Sequence, residues 1–115
     1  MNIEELHVLC NSFPAVTEDI KWDNDLCFSV GGKMFCVASL DQPLRISIKV
    51  GDEEFDEIST RVGFIPAPYM ARAKWVSVVD VSSLPQHELR QLIIQSYNLV
   101  KKKLTIKMRK QLGID

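Results

Sequence analysis

The chain has 115 residues, 46% of them hydrophobic, and a formal net charge of −1. This length is close to that of a typical globular domain, so we expect residues 1–115 to form one domain around one core. No apolar run approaches the roughly 18 residues needed to cross a bilayer, and the acidic start of the chain is unlike a signal peptide. The sequence therefore predicts a cytoplasmic protein with no membrane partner.

Charge is unevenly distributed along the chain. Residues 1–60 contain 12 acidic and 4 basic side chains, whereas residues 61–115 contain 3 acidic and 10 basic ones. Such segregation favours either a surface that faces a polyanion or helix faces of opposite charge exposed to solvent.

The first predicted element is a helix over residues 3–13. Asn2 is placed to cap it, and Glu5 completes the pattern of a capping box. Apolar side chains recur on one stripe of this helix, and Pro14 is expected to end it. A short strand is predicted next, at residues 20–22.

A Gly-Gly pair at residues 31–32 predicts a β-hairpin, because glycine enters the positive-φ conformations of a two-residue turn without steric cost. If the two glycines form the loop, Phe28 faces Phe35 and Cys27 faces Cys36. One face of the hairpin is then aromatic and buried. The facing cysteines come close in this register, but we expect them to remain reduced because a cytosolic compartment disfavours a disulfide.

A strand and a second helix are predicted after the hairpin. Alternation in residues 44–50 predicts a half-buried strand whose outer face is basic, with Arg45 and Lys49. Residues 52–63 predict a helix with acidic residues in its first turn, Val62 among its inward-facing residues and Gly63 at its end.

The prolines of residues 64–70 exclude a central strand and predict an extended connection that anchors Tyr69. Residues 75–81 predict another strand. A long helix follows, with Pro85 in its first turn and apolar residues at helical spacing as far as Leu104.

The basic segment after the long helix predicts a short helix capped by Thr105 and ended by Gly113. Strands grouped together, with helices before, between and after them, predict an α+β fold. We expect a two-layer sandwich, an antiparallel sheet with helices packed on one face.

From about residue 14 to residue 104, the sequence resembles the MmcQ/YjbR family. The residues that carry the resemblance are Phe28, residues 30–35 of the hairpin, residues 46–49, Pro68 with Tyr69, Trp75 with Val78, and residues 92–100. The resemblance implies a small bacterial domain with a CyaY-like (frataxin-type) fold and a DNA-binding role of the "double wing" kind. The chain departs from the family pattern of asparagines and a histidine at residues 71–76, where Arg72 and Lys74 keep the segment basic.

Enzymatic motifs are missing from the sequence. The two histidines, His7 and His87, have no evident nucleophile or metal-ligand partner, and no glycine-rich phosphate loop or HExxH pattern occurs. Cys10, Cys27 and Cys36 do not have the spacing of a metal site. We therefore expect no catalytic residue, no metal, no cofactor and no small-molecule substrate.

Nucleic-acid binding is the first functional hypothesis, with DNA as the partner. Contacts to phosphates require lysine and arginine side chains on a common surface. The candidate binding residues are Lys33 at the hairpin tip, Arg45, Lys49, Arg72 and Lys74. Residues 101–110 add positive charge, but a basic helix end also compensates the helix dipole, and Trp75 is expected in the core rather than as a platform for bases.

A frataxin-like acidic surface is the alternative hypothesis. Carboxylates near the amino end could gather weakly around a metal ion or face a partner protein; these are Glu4, Glu5, Glu18, Asp19, Asp23 and Asp25. Their spacing defines no closed site. A protein-interaction domain with neither ligand is also compatible with the sequence.

Overall fold

The fold is one antiparallel sheet with helices on one of its faces. For residues 1–41 and 43–115, the part of the chain that it describes, the computed structural model contains four α-helices and six strands. In chain order these are α1 (Ile3–Asn11), β1 (Val16–Lys21), β2 (Asp25–Val30), β3 (Lys33–Ser39), β4 (Arg45–Lys49), α2 (Phe55–Ser59), β5 (Phe64–Pro66), β6 (Trp75–Val78), α3 (Gln86–Lys103) and α4 (Ile106–Leu112). The strand order is β1-β2-β3-β4-β6-β5, and the predicted α+β class is confirmed.

The main core lies between the helices and one face of the sheet. The long helix α3 packs across β2, β3 and β4. Its fully buried Leu89 and Ile93 belong to the same core as Phe28 and Ile46 from the strands. None of the helices in the described part of the chain combines the length and apolar character required to span a membrane.

The first helix has the predicted amino end. The Asn2 side chain accepts a hydrogen bond from the amide of Glu5, and the Glu5 carboxylate accepts one from the amide of Asn2. The helix ends at Asn11 rather than at residue 13. Phe13 lies beyond that end, and its ring packs 4.8 Å from the ring of Tyr97 on α3.

The β2–β3 hairpin contains a bulge that the sequence did not predict. The two pairs nearest the turn are as expected, but Phe28 then pairs with Cys36 and Cys27 pairs with Val37. The extra residue is Phe35, so Phe35 and Cys36 both contact the main core although they are consecutive. The predicted pairs Phe28–Phe35 and Cys27–Cys36 are therefore wrong. Cys27 lies on the opposite sheet face from Cys36, and both thiols are free.

The predicted second helix is too long. Helix α2 ends at Ser59, where the Thr60 hydroxyl donates to the carbonyls of Asp56 and Glu57 and competes with further helix formation. Val62 is 98% exposed rather than inward-facing.

Other element boundaries also differ from the predictions. Strand β1 begins at Val16 rather than at residue 20. Strand β6 ends at Val78, because Asp80 caps a short 3-10 helix at Val81–Ser83. The proline-containing β5 is an edge strand, consistent with the exclusion of a central one.

The carboxyl-terminal segment folds back onto the domain. Thr105 caps α4 by accepting a hydrogen bond from the amide of Met108, and Gly113 ends it with φ of +72°, as the sequence predicts. Met108 and Leu112 pack against the main core. The chain therefore turns sharply between α3 and α4, at Leu104.

Candidate nucleic-acid interface

Several elements have their ends at one end of the sheet. Because neighbouring strands are antiparallel, the β2–β3 turn, the last residue of β4 and the first residue of β6 lie at the same end. The carboxyl end of α3 is there too, since a Cβ atom placed on Gly31 would lie 2.8 Å from the Leu104 side chain. We call this region the basic end, and it carries Lys33, Lys49, Arg72, Lys74 and Lys103.

Lys49 is buried at the basic end rather than exposed on the outer strand face. The residue is 8% exposed, and its Nζ donates a hydrogen bond to the Ala73 carbonyl at 2.5 Å. Burial, together with the positive charges of Lys103 and Lys74, lowers the pKa of Lys49, while Asp52 acts in the opposite direction. Lys103 and Lys74, from separate elements, therefore each lie close enough to repel Lys49.

Arg72 and Lys74 belong to the connection before β6. Arg72 lies in a short 3-10 helix, Ala71–Ala73, and is exposed. Lys74 has a left-handed backbone, with φ of +66°. Its Nζ lies 5.1 Å from the centre of the Phe55 ring, a cation–π contact that orients this charge toward α2.

Lys33 and Arg45 do not share a surface. Lys33 is exposed and pairs with Val30, whose side chain is in the main core. Directly paired residues point to the same face of a sheet, so the Lys33 side chain leaves from the face covered by helices. Arg45 is exposed at the other end of β4, opposite Ser39. The structure thus brings four of the five predicted residues to the basic end and leaves Arg45 apart.

The sequence did not single out Lys103. Its place at the basic end depends on the close approach of Leu104 to Gly31, and no local pattern predicts that approach. The carboxylates of the alternative hypothesis do not share one surface. Glu18 contacts His7 at 2.7 Å on the helix-covered face of the sheet, whereas Asp19 pairs with Cys27 on the opposite face. No group of three potential metal ligands occurs within residues 1–41 and 43–115.

The sheet face away from the helices, here the open face, holds a second apolar cluster. It consists of Cys27, Val37, Ala67 and Trp75, with Met34 and Met70 against it. Trp75 is only 6% exposed, in agreement with its predicted place in a core.

A groove of about 570 Å³ lies beside this cluster, between the β1–β2 turn and the loop after β5. Val37, Ser47 and Ser77 line it, and the two serine hydroxyls are 2.7 Å apart. Trp22 and Tyr69 line it as well, and both are exposed. The sequence analysis missed Trp22 as a surface residue and expected Tyr69 to be anchored, which is wrong.

Comparison with known proteins supports the sequence resemblance. No curated protein matches the chain. The structure is similar to the crystal structure of Deinococcus radiodurans protein DR2400, described with domain DUF419, at 29% identity over 99% of this chain and 89% of that one, with a TM-score of 0.89. A protein from Pseudomonas syringae, Northeast Structural Genomics Consortium target PsR293, shares the fold at 19% identity over 87% of this chain and 99% of that one, with a TM-score of 0.72. The model of the YjbR family matches residues 11–99, and the chain therefore belongs to the YjbR family.

Proposed function

We propose that this domain is a non-catalytic module that binds DNA through phosphate contacts at the basic end. The observation that supports the proposal is the convergence of basic side chains from β3, β4, the loop before β6 and α3. Residues so far apart in the chain come to the same end of the sheet only through the fold.

Mutual repulsion at the basic end favours a polyanionic ligand. Burial, and with it the charges of Lys103 and Lys74, lowers the pKa of Lys49, so the charged form of this lysine is destabilised in the free protein. A phosphate backbone would reduce that repulsion and release its own counterions on binding.

The basic residues have different parts in the proposed interface. Lys33, Arg72 and Lys103 are exposed and can reach phosphate oxygens directly. Lys49 and Lys74 are held by Ala73 and Phe55, and they contribute mainly to the local positive potential. The hairpin tip then acts as one contact among several rather than as an isolated wing.

Binding to a random DNA duplex, measured by fluorescence anisotropy at several salt concentrations, tests the proposal. The double variant Lys33→Ala/Arg72→Ala should bind about tenfold more weakly at low salt. Its slope of log affinity against log salt should fall by about two, because each phosphate contact contributes roughly 0.9.

The matched control is Lys21→Ala/Arg90→Ala, which removes the same charge from positions away from the basic end. This control should retain most of the affinity. Undetectable binding of the unmodified protein at low salt, or equal losses in both double variants, would contradict binding at the basic end.

A further inference from the structure

Two exposed aromatic side chains flank the groove on the open face. Trp22 is 64% exposed and Tyr69 is fully exposed. Both have left-handed backbones, with φ of +49° and +66°, a conformation that is rare for bulky residues. The turns that carry them thus present the rings to solvent instead of folding them into the apolar cluster nearby. Exposed aromatic faces of this kind stack on nucleobases.

The groove also presents two opposite charges. Asp25 and Arg45 both line it. Asp25 and Arg45 do not pair with each other, because the side-chain pairs within salt-bridge distance among residues 1–41 and 43–115 are His7–Glu18 and Arg61–Glu88. A ligand that contacts both needs a hydrogen-bond donor for Asp25 and an acceptor for Arg45.

A purine base combines these properties. It is flat, its two fused rings offer a larger stacking area than a pyrimidine, and like every base it carries donors next to acceptors. A phosphate in the groove would be repelled by Asp25, and an alkyl chain would leave both charges without a partner. The groove volume of about 570 Å³ is adequate for such a ring.

The groove adjoins the basic end. Tyr69 and Met70 line it and also line a second groove, of about 480 Å³, that contains Arg72 and Trp75. A nucleic-acid strand with phosphates at Arg72 could therefore place a base between Trp22 and Tyr69. In a duplex that base would be stacked and paired, so the strand must be single at this point.

We infer that the open-face groove binds an unpaired purine base of a single-stranded nucleic acid. This inference rests on the proposed binding of nucleic acid at the basic end, and it adds the strand type and the base class.

Tryptophan fluorescence tests the inference, because Trp22 is exposed whereas Trp75 is buried. Titration of the full chain with a single-stranded oligonucleotide of alternating guanine and adenine should quench Trp22 emission. Binding should be at least about fivefold tighter than to an oligothymidine of equal length, since the larger fused ring of a purine stacks more strongly on aromatic side chains.

The variants Tyr69→Ala and Arg45→Ala should each remove most of this purine preference. Val62→Ala is the control, because it removes an equally exposed apolar side chain outside the residues that line the groove. Equal affinity for the two strands, no effect of either groove variant, or quenching by a free purine mononucleotide but not by the strand would overturn the inference.

The test also separates the two proposals. If Lys33→Ala/Arg72→Ala reduces duplex binding while the groove variants change nothing, the basic end binds nucleic acid and the groove does not bind the base. If the double variant leaves duplex binding unchanged, the proposed function fails, whatever happens at Trp22.

Discussion

The hydroxyl of Ser96 donates a hydrogen bond to the backbone carbonyl of Phe35 at 2.6 Å. The same oxygen accepts one from the amide of Lys49 at 2.9 Å. Regular pairing of β3 with β4 begins at the next pair, Cys36 with Ile48. The Ser96 hydroxyl of α3 therefore takes the place of the backbone pairing between β3 and β4 that the bulge at Phe35 interrupts. It also joins the long helix to both strands.

Replacing Ser96 with alanine should destabilise the fold by about 1–3 kcal/mol, because a buried amide and a buried carbonyl would lose their partner. Urea unfolding measures the change, and amide hydrogen exchange at Lys49 should accelerate. Asn98→Ala is the control, since Asn98 is exposed on the same helix. Equal stability of the two variants would show that the bridge contributes nothing.

The hairpin shows how far local sequence can define the fold. The turn at residues 31–32 and the two pairs beside it follow from glycine conformation alone and were predicted correctly. The bulge at Phe35 was not predictable, because its carbonyl partner is Ser96, 61 residues away. Tertiary contacts of this length leave no local periodicity in the sequence.

The candidate interface was predictable in residue type but less so in position. The alternation of Lys49 with apolar residues predicts an exposed strand residue. In the structure the loop at Ala73 covers Lys49. Trp22 and Tyr69 were missed because aromatic side chains are usually buried. Left-handed turns hold these two rings outward, and no composition rule predicts such turns at non-glycine residues.

The two glycines of the hairpin turn should tolerate substitution differently. Gly31 has φ of +59°, and a Cβ atom there would lie 2.8 Å from Leu104. Gly32 has φ of +80° and open space around it. Both alanine variants incur the backbone cost of about 1–2 kcal/mol, but Gly31→Ala adds a clash with a buried side chain.

Thermal or urea unfolding should therefore rank Gly31→Ala as the less stable variant by at least about 1 kcal/mol. The double variant Gly31→Ala/Leu104→Ala should show a smaller loss than the sum of the two single losses, because the clash disappears. Additive losses would contradict a close contact between the turn and the end of α3.

The three buried cysteines should be unreactive in the native protein. Burial raises the pKa of the Cys27 thiol, and the neighbouring Cys10 thiol, together with burial, raises that of Cys36 well above its usual value. Because the thiolate is the reactive form, a thiol reagent at pH 8 should react at least about a hundredfold more slowly than in guanidinium chloride. One rapidly reacting thiol in the native protein would contradict this burial.

The pH dependence of stability should reveal the lowered pKa of Lys49. Between that pKa and the ordinary value of 10.5, the unfolded chain binds more protons at this position than the native one. The free energy of unfolding therefore rises with pH in this interval. The Lys49→Met variant lacks the contribution, so the stability of the unmodified protein relative to the variant should increase as pH rises from neutrality toward 10.5.

The neighbouring charge supplies the decisive comparison for Lys49. Lys103→Met removes one cause of the lowered pKa of Lys49. In a protein that carries Lys103→Met, the rise with pH in the free energy of unfolding that Lys49 contributes should therefore be smaller. Lys107→Met removes an exposed lysine of α4 and is the charge-matched control. Unfolding curves at a series of pH values are needed for six proteins: the unmodified protein, the three single variants, and the Lys103→Met and Lys107→Met variants that also carry Lys49→Met. The free energy of unfolding of the unmodified protein relative to Lys49→Met could instead stay constant or decline with pH. That outcome would show that the pKa of Lys49 is not lowered. The basic end would then lack the electrostatic cost that favours a polyanionic ligand.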